Sequence, residues 1–280
     1  MIRTEHIELT NGQPIAIRMR DPSRRTPAPV VLLCLHGMPG RGADFDPLLQ
    51  ALPEDWRGLA PDRAGYGASR PLVSTSRPGP AAEAERLLAL LDDLRVDRVL
   101  LLAWSWAGLV AGAVSRMAPG RFRGLLLVGA VGPSMRFPRD PVDRLLFRSP
   151  FGDRLLTAGA RRLPGLFRRA LDEAYGEPAP DLLFARLLED AGRPCTRRRW
   201  LEDGRVLQPD TMRLPPAQLP TWLLHGVADR SVPVAVARDL AARRPDTRLV
   251  ELEGAGHWPF RTATRATLDT LVLLARETIP

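Results

Sequence analysis

The chain has 280 residues, 45% of them hydrophobic and 26% charged, enough to bury a sizeable core as one domain or as a core with a modest insertion. Its net charge of +8 rests on arginine alone, since no lysine occurs. The arginines are spread along the chain, with short runs at Arg161–Arg162, Arg168–Arg169 and Arg197–Arg199, and no base-reading motif accompanies them, which disfavours nucleic acid as a partner.

The opening MIRTEHIELT has no apolar run of a signal peptide, and the longest uncharged stretch, Val99–Ser115, falls short of the ~20 residues that span a bilayer. No membrane partner is therefore expected. Cys34 and Cys195 lie far apart, so free thiols and a cytoplasmic location are expected.

Two short alternating segments come first, His6–Leu9 and Ile15–Arg20, with a hairpin signal between them at Asn11-Gly12. A proline-bearing connector, Arg24–Pro29, leads into Val30–Leu35, whose continuous apolar run predicts a strand buried on both faces. Strands and helices then alternate. A loop at His36–Gly42 precedes a short helix to Leu52. Gly58–Ala60 reads as a strand, Ala81–Leu94 as a helix and Val99–Ala103 as a strand. Trp106–Met117 reads as a helix and Leu125–Val128 as a strand.

From about Ser134 to Pro216 only proline-punctuated, arginine-rich helical segments occur. Alternation resumes with strand Thr221–Leu224, helix Val234–Arg243, strand Arg248–Leu252 and helix Thr262–Glu277. This pattern predicts a mainly parallel sheet with helices on both faces. The expected organisation is a core of residues 1–133 and 217–280 with a helical cap over 134–216.

Chemistry is sought at the C-terminal ends of the strands, where parallel sheets place their crevices. Ser105 follows the strand Val99–Ala103 and precedes a helix, as a nucleophile on a strand–turn–helix elbow would. Its flanks are Ala103 and Ala107, where glycine is usual; the other reading of Ser105 is a helix N-cap. Asp229 follows Thr221–Leu224 after four intervening residues. It fits the orienting acid, or else pairs with Arg230 or caps the helix from Val234.

His257, in Gly254-Ala255-Gly256-His257-Trp258, follows the last strand and fits the base. His36 and His225 precede glycines and are expected to hydrogen-bond within their own turns. Ser, Asp and His in this chain order form a hydrolytic set. The backbone N–H groups of Met38 and Trp106 are the expected oxyanion donors, because Pro39 cannot donate. Trp104, Trp106 and Trp258 fall near these residues. Trp104 and Trp258 are assigned to an apolar substrate pocket, with core packing as the other reading. No ligand spacing for a metal and no phosphate-binding glycine loop is present, so no cofactor is expected.

Four features in this order resemble the α/β-hydrolase family: the loop His36–Gly40, the segment Asp62-Arg63-Ala64-Gly65-Tyr66-Gly67-Ala68-Ser69, the Ser105 elbow, and the Asp229 and His257 turns. The resemblance implies an eight-stranded sheet under a helical cap. It gives the Asp62 segment a structural role.

His-Gly-Met-Pro-Gly and Ser105-Trp106 are similar to a proline-iminopeptidase-like branch. That likeness would make cap glutamates, drawn from Glu173, Glu177, Glu189 and Glu202, the holders of a substrate amine. Dehalogenases and epoxide hydrolases of this fold carry an aspartate nucleophile, which Ser105 argues against. The expected activity is cleavage of an ester or amide of a small apolar substrate through an acyl-enzyme. A proline-iminopeptidase-like aminopeptidase, a lyase, cyclase or acyltransferase on the same residues, and a binding protein with little turnover remain alternatives.

Overall fold

The computed structural model describes residues 1–24, 29–69, 79–138, 141–207 and 214–279. Most of the proline-bearing connector, residues 25–28, lies outside them, as do residues 139–140 and 208–213 of the expected insertion.

Eight strands form one sheet: β1 (Ile2–Glu8), β2 (Pro14–Arg20), β3 (Val30–Leu35), β4 (Trp56–Pro61), β5 (Val99–Trp104), β6 (Phe122–Val128), β7 (Thr221–Gly226) and β8 (Arg248–Leu252). Their order is β1-β2-β4-β3-β5-β6-β7-β8. β1 and β2 run antiparallel, and so do β2 and β4; the pairings from β4 through β8 are parallel. The β1–β2 hairpin closes at Gly12, which has φ +77°, as the Asn-Gly signal requires. β1 starts earlier than expected and ends before Leu9, whose N–H and carbonyl close the turn with Gln13 and Gly12.

The period of two along each central strand separates two cores. Leu33, Leu101, Leu125 and Leu127 face one side. There they meet α2 (Pro80–Asp93), α3 (Ala107–Met117) and α9 (Val234–Arg243). Leu32, Cys34, Leu100 and Leu126 face the other. There they meet α1 (Asp46–Ala51), α10 (Pro259–Thr262) and α11 (Thr264–Thr278). Each fully buried leucine contributes about 1.5–3 kcal/mol by leaving water, which makes these runs the main source of stability. The expected final helix, Thr262–Glu277, forms as α11 from Thr264, and the non-helical backbone of Ala263 (φ −129°, ψ 46°) separates it from the short α10 before it.

Between β6 and β7 the chain forms α4 (Pro141–Arg148), α5 (Gly152–Arg162), α6 (Pro164–Tyr175), α7 (Asp181–Gly192) and α8 (Pro194–Val206). These helices bury a small cluster of their own around Phe147, Leu156, Trp200 and Leu201. Both cysteines are free, and no described helix is long and apolar enough to cross a membrane.

Candidate active site

The parallel strands deliver four loops to one edge of the sheet. Ser105 follows β5, Asp229 follows β7, His257 follows β8, and the His36–Gly40 loop follows β3. The Ser105 backbone has φ +56°, a left-handed conformation that costs a serine on the order of 1 kcal/mol. Hydrogen bonds with β6, with α3 and with the loop after β6 hold it there. Its N–H donates to the carbonyl of Val128 at 3.0 Å, and its carbonyl accepts from Gly108 at 3.0 Å and Val131 at 3.2 Å. This is an elbow and not an N-cap: the helix begins at Ala107, and no side chain caps it.

Alanine is tolerated at positions 103 and 107, both fully buried. The close approach that requires glycine falls at Gly37, where a Cβ would lie 2.7 Å from the Ser105 Cβ and 3.1 Å from the Trp104 carbonyl oxygen.

The three expected side chains meet. Ser105 Oγ lies 3.0 Å from His257 Nε2, and His257 Nδ1 lies 2.6 Å from Asp229 Oδ2. With the carboxylate on Nδ1, that nitrogen carries the proton and donates, which leaves Nε2 to accept from the serine hydroxyl. All three residues are buried. Asp229 Oδ1 accepts the Val232 N–H at 2.9 Å, and His225 Nε2 lies 3.4 Å from Oδ2. Burial alone would raise the Asp229 carboxyl; attraction to His257 and the hydrogen bonds from both histidines outweigh it and hold the group below the usual carboxylate range.

His36 and His225 act within the scaffold. His36 Nδ1–H donates to the Gly37 carbonyl at 3.0 Å, while Nε2 accepts the Arg63 N–H at 2.9 Å. Burial, with the nearby Arg63 charge, keeps this imidazole neutral far below its ordinary pKa. His225 donates through Nε2 to the Val232 carbonyl at 2.7 Å. Asp62 accepts the N–H groups of Gly42 at 2.6 Å and Ala68 at 2.7 Å, so it shapes a loop.

A cavity of about 150 Å³ opens beside Ser105. Met38 and Trp106 line it, and among the described residues neither main-chain N–H donates to another part of the chain. The helical insertion supplies most of the remaining wall, including Phe147, Phe167, Tyr175 and Trp200. Asp143 is the one carboxylate among the described lining residues.

The assignment of Trp104 and Trp258 to the pocket is corrected: neither lines the cavity. Trp104 packs behind His257 with ring centroids 5.3 Å apart, and its indole N–H donates to the His257 carbonyl at 2.8 Å. Trp258 packs against Trp104 and Tyr175. Both residues support the histidine and do not touch the space in front of the serine.

None of the four glutamates lines the cavity either. Glu177 accepts the Trp258 N–H at 2.6 Å, and Glu173 faces Arg230 at 3.8 Å. Glu189 pairs with Arg193, and Glu202 pairs with Arg198 at 2.9 Å.

Sequence reasoning missed two groups. The Tyr175-Gly176-Glu177 turn between α6 and α7 contacts both the Asp229 and the His257 loops. A buried cluster of Arg63, Tyr66 and Asp203 sits beside Gly37 and Trp106. Arg63 and Tyr66 lie in the Asp62–Ser69 segment, but no local motif marks their contacts, because each group joins segments far apart in sequence. Among the described residues no group of three or more histidine, cysteine or acidic side chains is placed to hold a metal ion.

The family model described as "Alpha/beta hydrolase family" matches residues 31–270. The chain is 28% identical over 262 residues to the polyketide synthase ThaQ of Burkholderia thailandensis, covering 89% of this chain but spanning only 12% of that synthase. It is 31% identical over 247 residues to the pimeloyl-[acyl-carrier protein] methyl ester esterase of Aromatoleum aromaticum, covering 82% of this chain and 91% of the esterase. Among solved structures, a membrane phospholipase A described as a bacterial virulence factor superposes with a TM-score of 0.78 at 21% identity, over 99% of this chain and 86% of that one. The eight-stranded sheet, its helices on both faces and a family match from β3 into the last helix leave one assignment: the chain belongs to the alpha/beta hydrolase family.

Proposed function

We propose that the protein is a serine hydrolase that cleaves an ester of a small apolar acyl group through an acyl-enzyme. The observation that carries this reading is the continuous contact from Ser105 Oγ through His257 to Asp229, at 3.0 and 2.6 Å, with the serine beside an apolar cavity.

In this mechanism Ser105 Oγ attacks the carbonyl carbon as its proton passes to His257 Nε2. Asp229 keeps the ring in the accepting tautomer and stabilises the imidazolium. The N–H groups of Met38 and Trp106 hold the developing oxyanion. His257 then returns the proton to the leaving group, and the C–O bond to it breaks. Water, deprotonated by His257, attacks the acyl-enzyme, and the Ser105 oxygen leaves with the proton.

The five helices α4–α8 act as the cap, since they supply most of the cavity wall. An engineered apolar cavity of about 150 Å³ binds benzene. The volume here therefore suits an acyl group of roughly six carbons or one aromatic ring. An esterase activity matches the name of the Aromatoleum relative. The aminopeptidase reading loses its structural support, because the expected glutamates are engaged elsewhere.

The test is a panel of p-nitrophenyl esters and proline arylamides, with Ser105→Ala and a fluorophosphonate label. Ester turnover lost in Ser105→Ala, with labelling confined to Ser105, supports the reading. Absence of both turnover and labelling in the wild type would sink it.

A further inference from the structure

We propose that Arg63 is the positioning residue of the oxyanion hole and that Asp203, carried in by α8, holds it in place. This rests on the reading of Ser105 as nucleophile and of the Met38 and Trp106 amides as oxyanion donors.

One fully buried guanidinium touches both limbs of that hole. Arg63 Nη1 donates to the Gly37 carbonyl at 2.8 Å. Gly37 and Met38 share one planar trans peptide, in which C=O and N–H point in opposite directions. Anchoring the oxygen therefore fixes the direction of the Met38 N–H. It also polarises the amide, which strengthens that N–H as a donor. The same guanidinium lies 3.8 Å over the Trp106 ring, and the Trp106 indole N–H donates to the Asp203 carbonyl at 3.0 Å. The Trp106 residue, whose main chain supplies the second donor, is thus clamped between Arg63 and Asp203.

The pair itself is buried, with the two side chains 0% and 1% exposed, and Nη2 meets Asp203 Oδ2 at 2.5 Å. Tyr66 donates its hydroxyl to the same oxygen at 2.9 Å. Such a pair is a poor device for stability, because desolvating two ions offsets their attraction. Here Arg63 Nε and Asp203 Oδ1 have no hydrogen-bond partner among the described residues, which lowers its worth further. What the pair supplies is geometry. It ties a helix of the insertion to the two amides that face the substrate oxygen, across 140 residues of sequence.

The test compares wild type with Asp203→Asn and with the double variant Arg63→Met/Asp203→Leu, which removes both charges together and so spares the fold an unpaired buried ion. The readouts are kcat and KM on p-nitrophenyl butyrate, and amide hydrogen exchange in segments 36–40 and 104–108. The expected result for the double variant is a kcat lower by about 100-fold with KM within about threefold, as for loss of an oxyanion donor. Exchange should quicken in both segments and stay unchanged around Asp229 and His257. Asp203→Asn, with a neutral isostere, should lose about tenfold in kcat.

A folded double variant with wild-type kcat and wild-type exchange overturns the proposal, and so does a loss confined to KM. If the double variant does not fold, Asp203→Asn decides by the same two readouts. If the wild type shows no Ser105-dependent hydrolysis, the reading of the site fails instead, and the exchange data alone still judge Arg63.

Discussion

The main-chain N–H of His257 donates to the carbonyl of Tyr175 at 2.9 Å. The loop that carries the proposed base is therefore held from outside the sheet, by the turn between two helices of the insertion. Glu177 adds a bond to the Trp258 N–H, and the Tyr175 ring packs 5.1 Å from the imidazole. Building the insertion and placing the histidine are one structural event.

Gly176 makes that turn possible. Its φ is +69°, and a Cβ there would stand 1.8 Å from the Ala228 carbonyl oxygen, beside Asp229. Gly176→Ala is expected to destabilise the protein by at least about 1 kcal/mol and to lower kcat, since the turn must shift away from both loops. Thermal melts and ester kinetics check this. A variant with unchanged Tm and kcat would show that the turn does not hold the site.

Gly37→Ala tests the approach of the oxyanion loop to the elbow. The nearest atoms are the Ser105 Cβ and the Trp104 carbonyl oxygen, which cannot swing aside, and then the Ser105 Oγ at 3.2 Å. The Met38 N–H should move away from the carbonyl oxygen, and kcat should fall by about 100–1000-fold. Circular dichroism should remain that of the wild type.

Phe147 lines the cavity and belongs to the small core of the insertion. Phe147→Ala should cost about 3–5 kcal/mol of stability and enlarge the space before Ser105. On a series of p-nitrophenyl esters the optimum acyl length should then move up by roughly two carbons or more. An unchanged optimum would place the acyl group elsewhere.

The neutral His36 predicts a pH dependence of stability. Its folded pKa is depressed well below the ordinary 6.5, so between those values the unfolded chain binds a proton that the folded one refuses. Stability is fully present above about pH 6.5 and is lost as pH falls through that window, by up to ~1.4 kcal/mol per pH unit. Asp44 acts in the opposite sense. Burial pushes its carboxyl up to about 6, so its contribution is greatest at acid pH and declines as pH rises to about 6. Tm measured from pH 7.5 to 5 should therefore fall less in His36→Gln than in wild type, because Gln keeps an acceptor for the Arg63 N–H without titrating. Parallel curves would refute the assignment of a neutral histidine.

Much of the site was legible because it depends on local chemistry at strand ends. The apolar runs at Val30–Leu35 and Val99–Ala103 are long enough only for buried strands, and a loop after a parallel strand can lie only at one edge of the sheet. Ser105, Asp229 and His257 could be placed together on that ground, and their side chains do meet. The pocket was not legible. Trp104 and Trp258 are adjacent to site residues in sequence, yet their side chains pack behind the histidine, against one another and, for Trp258, Tyr175. The cavity wall comes from helices whose amphipathic pattern says that a face is buried and not against what.

The sequence by itself determined the sheet, its helices and the loops that bear the Ser, Asp and His, since hydrophobic period and strand-end position depend on near neighbours. Only the tertiary structure decided which insertion residues face Ser105, where the four glutamates go, and that Arg63 meets Asp203 beside Gly37. Those are contacts between segments tens of residues apart, and 140 apart for Arg63 and Asp203, or turns of a helix about its axis. They follow from how the insertion settles on the core, a balance of many small packing and desolvation terms that no short stretch of sequence encodes.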